Sequence, residues 1–278
     1  MVKKRNIFLL IVILLILLVI WVIYSNTALQ VNTISIKSEK IPMEFNNFKI
    51  AHVSDLHNYE KTEKIIEKLK QSEPDIVAIT GDIIDGIKPN PDMALSFIRE
   101  ALKISSVYYV TGNHEAYAIS AYKKLREEMI NLGVNVLENT AGNIFAGSKS
   151  ITLTGINDPL FDETVNIKDE LAHRLTKILP DNDDYKILLA HRPEYFDIYC
   201  DSVDLVLSGH VHGGQFIIPF AGGLLSPGYG FFPKYYKGVY KKDDTHMVVS
   251  RGIGNSIIPL RINNNPEIVM IELLHDKE

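Results

Sequence analysis

Short apolar runs alternate with amphipathic stretches along most of the chain. Runs of about four to eight apolar residues are typical of buried strands, whereas apolar residues three and four positions apart indicate one face of a helix. Residues 60–71 have the second pattern, with Ile65, Ile66 and Leu69 on one face. Helices are predicted at 60–71, 91–104, 120–132 and 167–179.

Strand patterns occur in both halves of the chain and dominate the second half. Predicted strands lie at 31–37, 48–53, 75–80, 106–110, 134–137, 143–145, 151–154, 185–189, 205–207, 247–250 and 267–273. Helices separate the strands in the first half, which indicates βα units. Because the second half is rich in strands, we expect a mixed α/β sandwich rather than a single parallel sheet.

The N-terminus is a separate hydrophobic segment. Three basic residues at positions 3–5 precede residues 7–24, which are eighteen apolar or aromatic residues without Gly, Pro or charge. At about 1.5 Å per residue this helix spans roughly 27 Å, close to the ~30 Å hydrocarbon core of a bilayer. Trp21 and Tyr24 suit the far interface, and the basic cluster predicts a cytoplasmic N-terminus.

A cleaved secretory signal is the alternative interpretation of this segment. The apolar region of such a signal is usually only about 7–15 residues long and ends in a site like Ala-x-Ala. Residues 25–28 match that site poorly. We therefore expect an uncleaved signal-anchor at 1–24, a tether with a first strand at 25–45, and one domain at 46–278. A single span would hold this domain outside the cytoplasm, on the cell membrane.

The composition narrows the classes of partner. The chain has 278 residues, 46% of them apolar, and a net charge of −5. About 230 residues remain beyond the anchor, enough for one domain with a substantial core. No long basic run follows the N-terminus, so nucleic acid is not an expected partner, and no protein partner is evident. Cys200 is the only cysteine, which excludes an intramolecular disulfide and a thiolate zinc site.

Five short motifs of acidic residues, Asn and His follow strand-like runs. They are Asp55-Leu56-His57, Gly81-Asp82-Ile83-Ile84-Asp85, Gly112-Asn113-His114-Glu115, Ala190-His191-Arg192 and Gly209-His210-Val211-His212. Side chains at strand ends converge because the sheet fixes the loops that follow it. The motifs supply seven candidate ligands for divalent cations, namely Asp55, His57, Asp82, Asn113, His191, His210 and His212.

Seven ligands are enough for two cations that share one carboxylate. Asp55 and His57 are two positions apart, so in extended backbone their side chains leave on the same side. The Asp82 carboxylate has two oxygens and is therefore the natural bridge between the two cations. His210 and His212 are also two apart but need not bind the same ion. Considered one at a time, Asp, Asn and His residues of this kind are more often turn, cap or core residues than metal ligands. If all seven candidate ligands were structural residues, however, many buried polar groups would each need a separate hydrogen-bond partner.

In these motifs the sequence resembles the calcineurin-like metallophosphoesterases. The family pattern D-x-H, G-D-x-x-D, G-N-H-E, H and G-H-x-H is present in full and in order, within about residues 46–275. The resemblance implies a four-layer α/β fold, in which two mixed sheets form a β-sandwich flanked by helices. It implies one metal held by Asp55, His57, Asp82 and His212, and a second held by Asp82, Asn113, His191 and His210.

Within that family, two segments of the chain resemble a membrane-associated bacterial branch. The similarity lies in residues 209–215 and 250–254. This branch includes enzymes that cleave the pyrophosphate of a UDP-linked diacylglucosamine. Many members have Thr between the last two histidines, where this chain has Val211. That position should not bind metal, so the departure changes little.

The resemblance also implies a mechanism. Two divalent cations bind phosphoryl oxygens and lower the pKa of a bridging water from about 15.7 to near 7, and the resulting hydroxide attacks phosphorus in line. His114 matches the histidine that either protonates the leaving oxygen as a general acid or stabilises transition-state charge, and Asp85 matches the carboxylate that orients it. Glu115 is either a hydrogen-bond acceptor with a structural role or a residue that contacts the metal ligands without binding metal itself. Ligands of this type suit Mn²⁺, Fe or Zn²⁺, of which we expect Mn²⁺.

Other polar residues near the motifs have two interpretations. Arg192 either binds phosphate or forms an ion pair, while Arg251 and Arg261 are expected in structural pairs. Asn157 and Asp158 lie in a loop that we predict on the substrate side.

The Gly-rich stretch 222–240 carries Tyr229, Phe231, Phe232, Tyr235, Tyr236 and Tyr240. These aromatic residues form either a lip that admits lipid tails or a hairpin packed against the sandwich.

The leading hypothesis for function is a membrane-anchored phosphoesterase for a phosphomonoester, diester or pyrophosphate, with a cell-envelope or lipid-linked substrate. One alternative is a non-catalytic, membrane-tethered binding module on the same fold, and another is a metal-dependent hydrolase of a different ester. The complete ligand set argues against the binding module.

Overall fold

The computed structural model describes residues 2–162, 165–200, 202–226, 229–255 and 259–277. The helices are α1 Val2–Thr27, α2 Thr62–Ser72, α3 Pro91–Leu102, α4 Asn113–Tyr117, α5 Ile119–Asn131, α6 Ile167–Ile178 and α7 Phe196–Tyr199. The strands are β1 Gln30–Ser38, β2 Phe48–Val53, β3 Ile76–Thr80, β4 Ser106–Val110, β5 Asn135–Val136, β6 Thr140–Ala146, β7 Lys149–Gly155, β8 Lys186–Leu189, β9 Leu205–Ser208, β10 Ile217–Ile218, β11 Gly222–Gly223, β12 Leu225–Ser226, β13 Gly230–Phe231, β14 Gly238–Lys242, β15 Thr245–Val249 and β16 Glu267–His275.

Two six-stranded mixed sheets form the centre of the fold. The first sheet has the order β1-β16-β2-β3-β4-β5, in which only the β16–β2 pair is antiparallel. The second sheet has the order β14-β15-β9-β8-β7-β6, with antiparallel pairs at its two ends. The α/β fold with two mixed sheets flanked by helices, predicted from the sequence, is confirmed.

Strands that are apolar on both faces explain the layering. In β3, Val77 and Ile79 pack with helices α2, α3 and α5, whereas Ile76 and Ala78 pack between the two sheets. The outer face of the second sheet packs in the same way against α6 and α7. Because side chains alternate along a strand, a strand buried on both faces reads as a continuous apolar run. The resulting layers are helices, sheet, sheet and helices.

The strands that precede the five motifs all end at one edge of the sandwich, which we call the site edge. Strands β2, β3 and β4 are parallel neighbours in the first sheet, and β8 and β9 are parallel neighbours in the second. Strand β16 is antiparallel to β2 and therefore begins at the site edge, and β1, parallel to β16, begins there too. The chain thus enters the first sheet beside the candidate site.

Helix α1 leads directly into this edge. Its segment Lys4–Thr27 is the one helix, within the described part of the chain, that is long and apolar enough to cross a membrane. Its large apolar side chains are exposed. Only Ala28 and Leu29 separate α1 from β1. The division of the chain at 24/25 and 45/46 stays a prediction.

Candidate metal centre

The site edge brings all seven candidate ligands together. Asp55 and His57 follow β2, Asp82 follows β3, Asn113 begins α4 after β4, and the remaining three histidines follow β8 and β9. Every one of the seven side chains is buried. The expectation of extended backbone at Asp55 and His57 was wrong, because both residues have left-handed φ, 54° and 44°.

A first cluster consists of Asp55, His57 and His212, whose potential ligand atoms all lie within 4.8 Å of one another. His212 Nε2 lies 3.4 Å from Asp55 Oδ1, and His57 Nε2 lies 3.9 Å from the same oxygen. The two Nε2 atoms are 3.0 Å apart. Three donors therefore converge on one small volume.

A second cluster consists of Asp82, His191 and His210, again with all ligand atoms within 4.8 Å. His191 Nε2 lies 3.3 Å from Asp82 Oδ2 and 3.2 Å from His210 Nδ1. Asn113 joins this cluster, because its Oδ1 is 3.1 Å from His191 Nε2. His191 Nδ1 is 2.7 Å from the Thr80 carbonyl oxygen, a contact that leaves Nε2 facing the cluster. His210 and His212 thus belong to different clusters.

Asp82 lies between the two clusters. Its Oδ2 is 3.6 Å from His57 Nε2 in the first cluster and 3.3 Å from His191 Nε2 in the second. Its Oδ1 instead accepts a hydrogen bond from the His114 backbone N–H at 2.8 Å. One carboxylate oxygen is therefore shared by both clusters while the other fixes the side chain.

The electrostatics of the site favour a positive charge between these groups. Burial raises the pKa of Asp55 to about 6, whereas the neighbouring histidines, His191 first, outweigh burial at Asp82 and hold its pKa well below the usual value. Burial lowers the pKa of His191, but the Asp82 carboxylate reverses this and raises it to about 10. Burial lowers the pKa of His57 to about 4 and that of His212 well below its usual value.

The donor set therefore fits divalent cations. Neutral imidazoles and carboxylates converge with more lone pairs than protons. Among the described residues, the cationic groups beside them are a protonated His191 and the guanidinium groups of Arg192 and Arg261. A cation bound by carboxylate, amide and imidazole donors would compensate the same carboxylates. The family to which such motifs belong typically binds two divalent metals.

Two glycines of the motifs permit the close approach of these loops. A Cβ on Gly112 would lie 2.3 Å from Asp82 Oδ1, and a Cβ on Gly209 would lie 2.3 Å from Asp55 Oδ2. The absence of a side chain at each position lets one loop contact the carboxylate of another.

His114 stands beside the clusters rather than within the seven ligands. Its Nδ1 accepts a hydrogen bond from the Gly86 backbone N–H at 2.8 Å, so in the neutral ring the proton is on Nε2. Nε2 lies 4.0 Å from Asp82 Oδ2. Asp85 Oδ2 is 3.8 Å from Nδ1, beyond hydrogen-bond distance, while Asp85 Oδ1 accepts from the N–H groups of the next loop residues, Ile87 and Lys88. The orienting role of Asp85 stays a prediction, and Gly86 is a direct partner that the sequence did not reveal.

Glu115 is a buried structural acceptor, one of the two roles left open by the sequence. Its Oε2 accepts from the backbone N–H groups of Asp82 at 2.8 Å and Gly112 at 2.7 Å. Its Oε1 accepts from Ile83 at 2.9 Å and Ile84 at 3.3 Å. Burial first, and then the Asp82 carboxylate, raise the pKa of Glu115 to about 7. A Glu three residues after the Gly that precedes a helix is half of a capping box, a signal readable in G-N-H-E.

The arginines near the site are engaged within the protein. Arg192 forms a two-pronged, mostly buried ion pair with Asp158, at 2.6 and 3.3 Å. Arg251 pairs with Glu267 at 2.6 Å, as expected. Arg261 has no carboxylate partner among the described residues and instead donates to backbone carbonyls, including that of Gly254. The ion pair is thus the interpretation of Arg192 that the contacts support.

The aromatic stretch divides into two kinds of residue. Tyr235 is buried and packs edge-to-face on Phe196 and Tyr240, with ring centroids 5.8 and 4.9 Å apart. Phe231 and Phe232, by contrast, are 73% and 58% exposed. Residues 227 and 228 of this stretch lie outside the described residues. The packed-hairpin interpretation therefore holds for Tyr235 and Tyr240 but not for the two phenylalanines.

Comparison with known proteins agrees with this geometry. The sequence model for calcineurin-like phosphoesterases matches residues 48–214. An uncharacterized metallophosphoesterase of Bacillus subtilis (strain 168), YkuE, is 33% identical over 86% of this chain and 83% of its own length. A transmembrane protein with metallophosphoesterase domain from Danio rerio is 26% identical over 86% of this chain, which spans 56% of that protein. The crystal structure of TT1561 of Thermus thermophilus has a similar fold, with a TM-score of 0.51 and 14% identity over 75% of this chain and 91% of that one.

Proposed function

We propose that this chain, which belongs to the calcineurin-like phosphoesterase family, hydrolyses a phosphoester or pyrophosphate bond of a lipid-linked or other cell-envelope substrate. Family membership supports a metal-dependent phosphoesterase. The observation that carries the proposal for this site is the position of Asp82 Oδ2 between two clusters of ligand atoms.

In this proposal Asp55, His57, Asp82 and His212 hold one divalent cation, and Asp82, Asn113, His191 and His210 hold the other. Mn²⁺ is the proposed ion, with Fe and Zn²⁺ as the alternatives that the same donors suit. Bound cations of this kind polarise a phosphoryl group and supply an activated water as nucleophile.

The protein's own groups supply the remaining chemistry. His114 Nε2 carries a proton toward the space beside Asp82 Oδ2, because Nδ1 is occupied by the Gly86 N–H. We propose that this N–H donates a hydrogen bond to the leaving oxygen and stabilises the negative charge that develops there. Glu115 holds the loop of Asp82 against the loop of Gly112, so that the shared carboxylate keeps its position.

The proposed location is the cell membrane, with a cytoplasmic N-terminus and the catalytic domain on the outer side. The apolar helix α1 and the basic residues at its N-terminal end support this orientation. A relative named as a transmembrane protein is consistent with a membrane anchor. A substrate that shares this surface is favoured because the anchor keeps the site beside the bilayer.

Hydrolysis assays on the purified full chain in detergent test the proposal. We expect turnover of bis-p-nitrophenyl phosphate or p-nitrophenyl phosphate with Mn²⁺, loss of turnover in excess EDTA, and recovery when Mn²⁺ is restored. His191→Ala should abolish turnover and lower the bound metal measured by elemental analysis. His173→Ala, an exposed histidine on α6, is the matched control and should change neither.

The same assays separate the alternatives. One outcome is that the purified protein binds its full content of metal and yet hydrolyses neither a phosphoester nor a lipid pyrophosphate in mixed micelles. That result would favour the non-catalytic binding module. Turnover of carboxylic esters without inhibition by inorganic phosphate would favour the hydrolase of a different ester.

A further inference from the structure

The anchor helix is hydrogen-bonded to the loop that borders the candidate site. Asn26, in the last turn of α1, donates from Nδ2 to the Arg261 carbonyl and accepts the Arg261 N–H at Oδ1, both at 2.8 Å. Asn265 Nδ2 donates to the Tyr24 carbonyl at 2.9 Å. The buried Arg261 side chain continues to the site, with Nη2 3.4 Å from His212 Nδ1. The end of the anchor therefore has a defined position relative to the ligands.

A groove connects the anchor to the first metal cluster. It encloses about 550 Å³, and its lining includes Ile23 and Asn26 of α1, His57 of the cluster, and Tyr59 and Leu260. The last turns of the apolar helix thus form one end of the groove, and the candidate metal ligand His57 lies at the other end.

The position of the groove along α1 places it at the membrane surface. Trp21 and Tyr24 are the aromatic residues of the last turns, the type that lies at headgroup level. Asn26 follows Tyr24 by two residues, which is about 3 Å along a helix axis. If α1 spans the bilayer, the site edge cannot stand far from the interface.

Exposed aromatic side chains lie on the segment that begins at Phe216, which pairs with the loop of Arg261. Phe216 forms a bridge with Ile262, next to Arg261. The chain then turns between β10 and β11, where Phe220 is fully exposed. Phe232 donates its N–H to the Leu224 carbonyl and Phe231 pairs with Leu225, so both phenylalanines lie beside the segment that follows β11. These three phenylalanines form the rim, a name we keep for Phe220, Phe231 and Phe232.

We propose that the rim inserts into the lipid headgroup region and that the groove receives a phosphorylated membrane lipid directly from the bilayer. The lipid phosphate would reach the two ligand clusters while its apolar chains remain beside α1. The reaction on this lipid rests on the function proposed above, whereas the membrane contact of the rim does not. Continuity of the rim with the docked end of the anchor identifies the bilayer as its partner.

Fluorescence quenching tests the contact without any need for activity. Trp21 is the only tryptophan, so Trp21→Phe gives a background into which Phe220→Trp is introduced. The matched control is Phe145→Trp. Phe145 is 70% exposed, but it precedes the β6–β7 turn at the opposite edge. In vesicles of brominated phosphatidylcholine we expect strong quenching of the tryptophan at 220 and little at 145. Equal quenching at the two positions would overturn the membrane contact.

Competition tests the groove. Vesicles containing dioleoyl phosphatidate should inhibit hydrolysis of bis-p-nitrophenyl phosphate by the reconstituted full chain. Replacing all three rim residues by Ser should weaken this inhibition about tenfold, because the aromatic contact with the interface is lost. Phe145→Ser should leave it unchanged, and soluble dibutanoyl phosphatidate should inhibit every variant equally.

The outcomes of the two tests are distinguishable. If vesicles and soluble phosphatidate lose inhibition together in the rim variant, or if vesicles never inhibit, delivery from the bilayer is wrong although hydrolysis persists. If no phosphoester is hydrolysed but the tryptophan at 220 is quenched selectively, the function proposed above fails and the membrane contact stands.

Discussion

His114→Asn separates hydrogen-bond donation from metal binding. In the structure Nδ1 accepts the Gly86 N–H at 2.8 Å and Nε2 lies 4.0 Å from Asp82 Oδ2. The Asn side-chain oxygen reaches about as far as Nδ1 and can accept the same N–H. The substitution therefore removes Nε2 and its proton while retaining the contact that positions the side chain.

A hydrogen-bond donor to a developing oxyanion contributes about 10²–10³-fold to a rate, equivalent to about 2.7–4 kcal/mol in activation free energy. We expect a loss in this range for a poor leaving group. For p-nitrophenolate, which leaves without much help from a proton, the loss should be much smaller. The assay is kcat for methyl aryl phosphates whose leaving groups range from p-nitrophenol to phenol, with metal content measured on the same samples.

Two results would refute the assignment of His114. A parallel loss of bound metal would make it a ligand rather than a donor to the leaving oxygen. An equal loss for every leaving group would remove the case for a contact with the leaving oxygen. Asp85→Asn is a useful comparison, because Asp85 is 3.8 Å from Nδ1 and contacts His114 only through the loop of Gly86. It should cost less than His114→Asn and should show the same dependence on the leaving group, because Asp85 is predicted to act through the position of His114.

Substitutions beneath and within the site test buried charge and metal count. Burial lowers the pKa of His52 to about 3, so its contribution to stability is present above pH 6.5 and is lost as the pH falls toward 3. His52→Gln should therefore reduce the acid loss of stability by up to about 1.4 kcal/mol per pH unit, measured by urea unfolding in EDTA at pH 7 and 5.5. Glu115→Gln turns an amide nitrogen toward two buried N–H groups and should cost about 2–6 kcal/mol in the free energy of unfolding, whereas exposed Glu127→Gln should cost little. By elemental analysis, Asp82→Asn should lower the total metal content more than His212→Ala does, and equal losses would contradict the shared carboxylate.

The sequence predicted most of the elements that position the site. Every strand that precedes a motif has an apolar run, and the predicted strand at 48–53 matches β2. The same holds for 106–110 and β4. Such strands are buried on both faces, so their pattern does not depend on distant contacts. Helices α4 and α7 were not predicted, because five and four residues are too few to display a helical period.

Contacts between distant loops were beyond the sequence. Nothing in the region of Asn26 signals its two hydrogen bonds with Arg261, since the two residues lie 235 positions apart. The Gly86 N–H that contacts His114 is a backbone donor, and a backbone contact cannot be recognised from the residue types of a motif. The grouping of the ligands into two clusters came from the family resemblance, and the observed proximities agree with that grouping, whereas the assignment of metals to them stays a prediction.

The backbone of the site explains why motif spacing alone could not supply its geometry. Asp55, His57, Asp82, His210 and His212 all have positive φ, between 44° and 71°. For residues other than Gly such conformations cost about 1–3 kcal/mol each and persist only where the surroundings impose them. The loops impose them on one another: the His57 N–H donates to the Asp82 carbonyl, and the His210 N–H donates to the Asp55 carboxylate.

The ligands of one cluster are thus held partly by loops that carry ligands of the other. A change at Asp55 should disturb His210, although the two residues are assigned to different cations, because the Asp55 carboxylate accepts the His210 N–H at 3.1 Å from both oxygens. The two proposed cation sites are for this reason one structural unit. Loss of one cation should weaken the other by more than the removal of a shared charge alone would require.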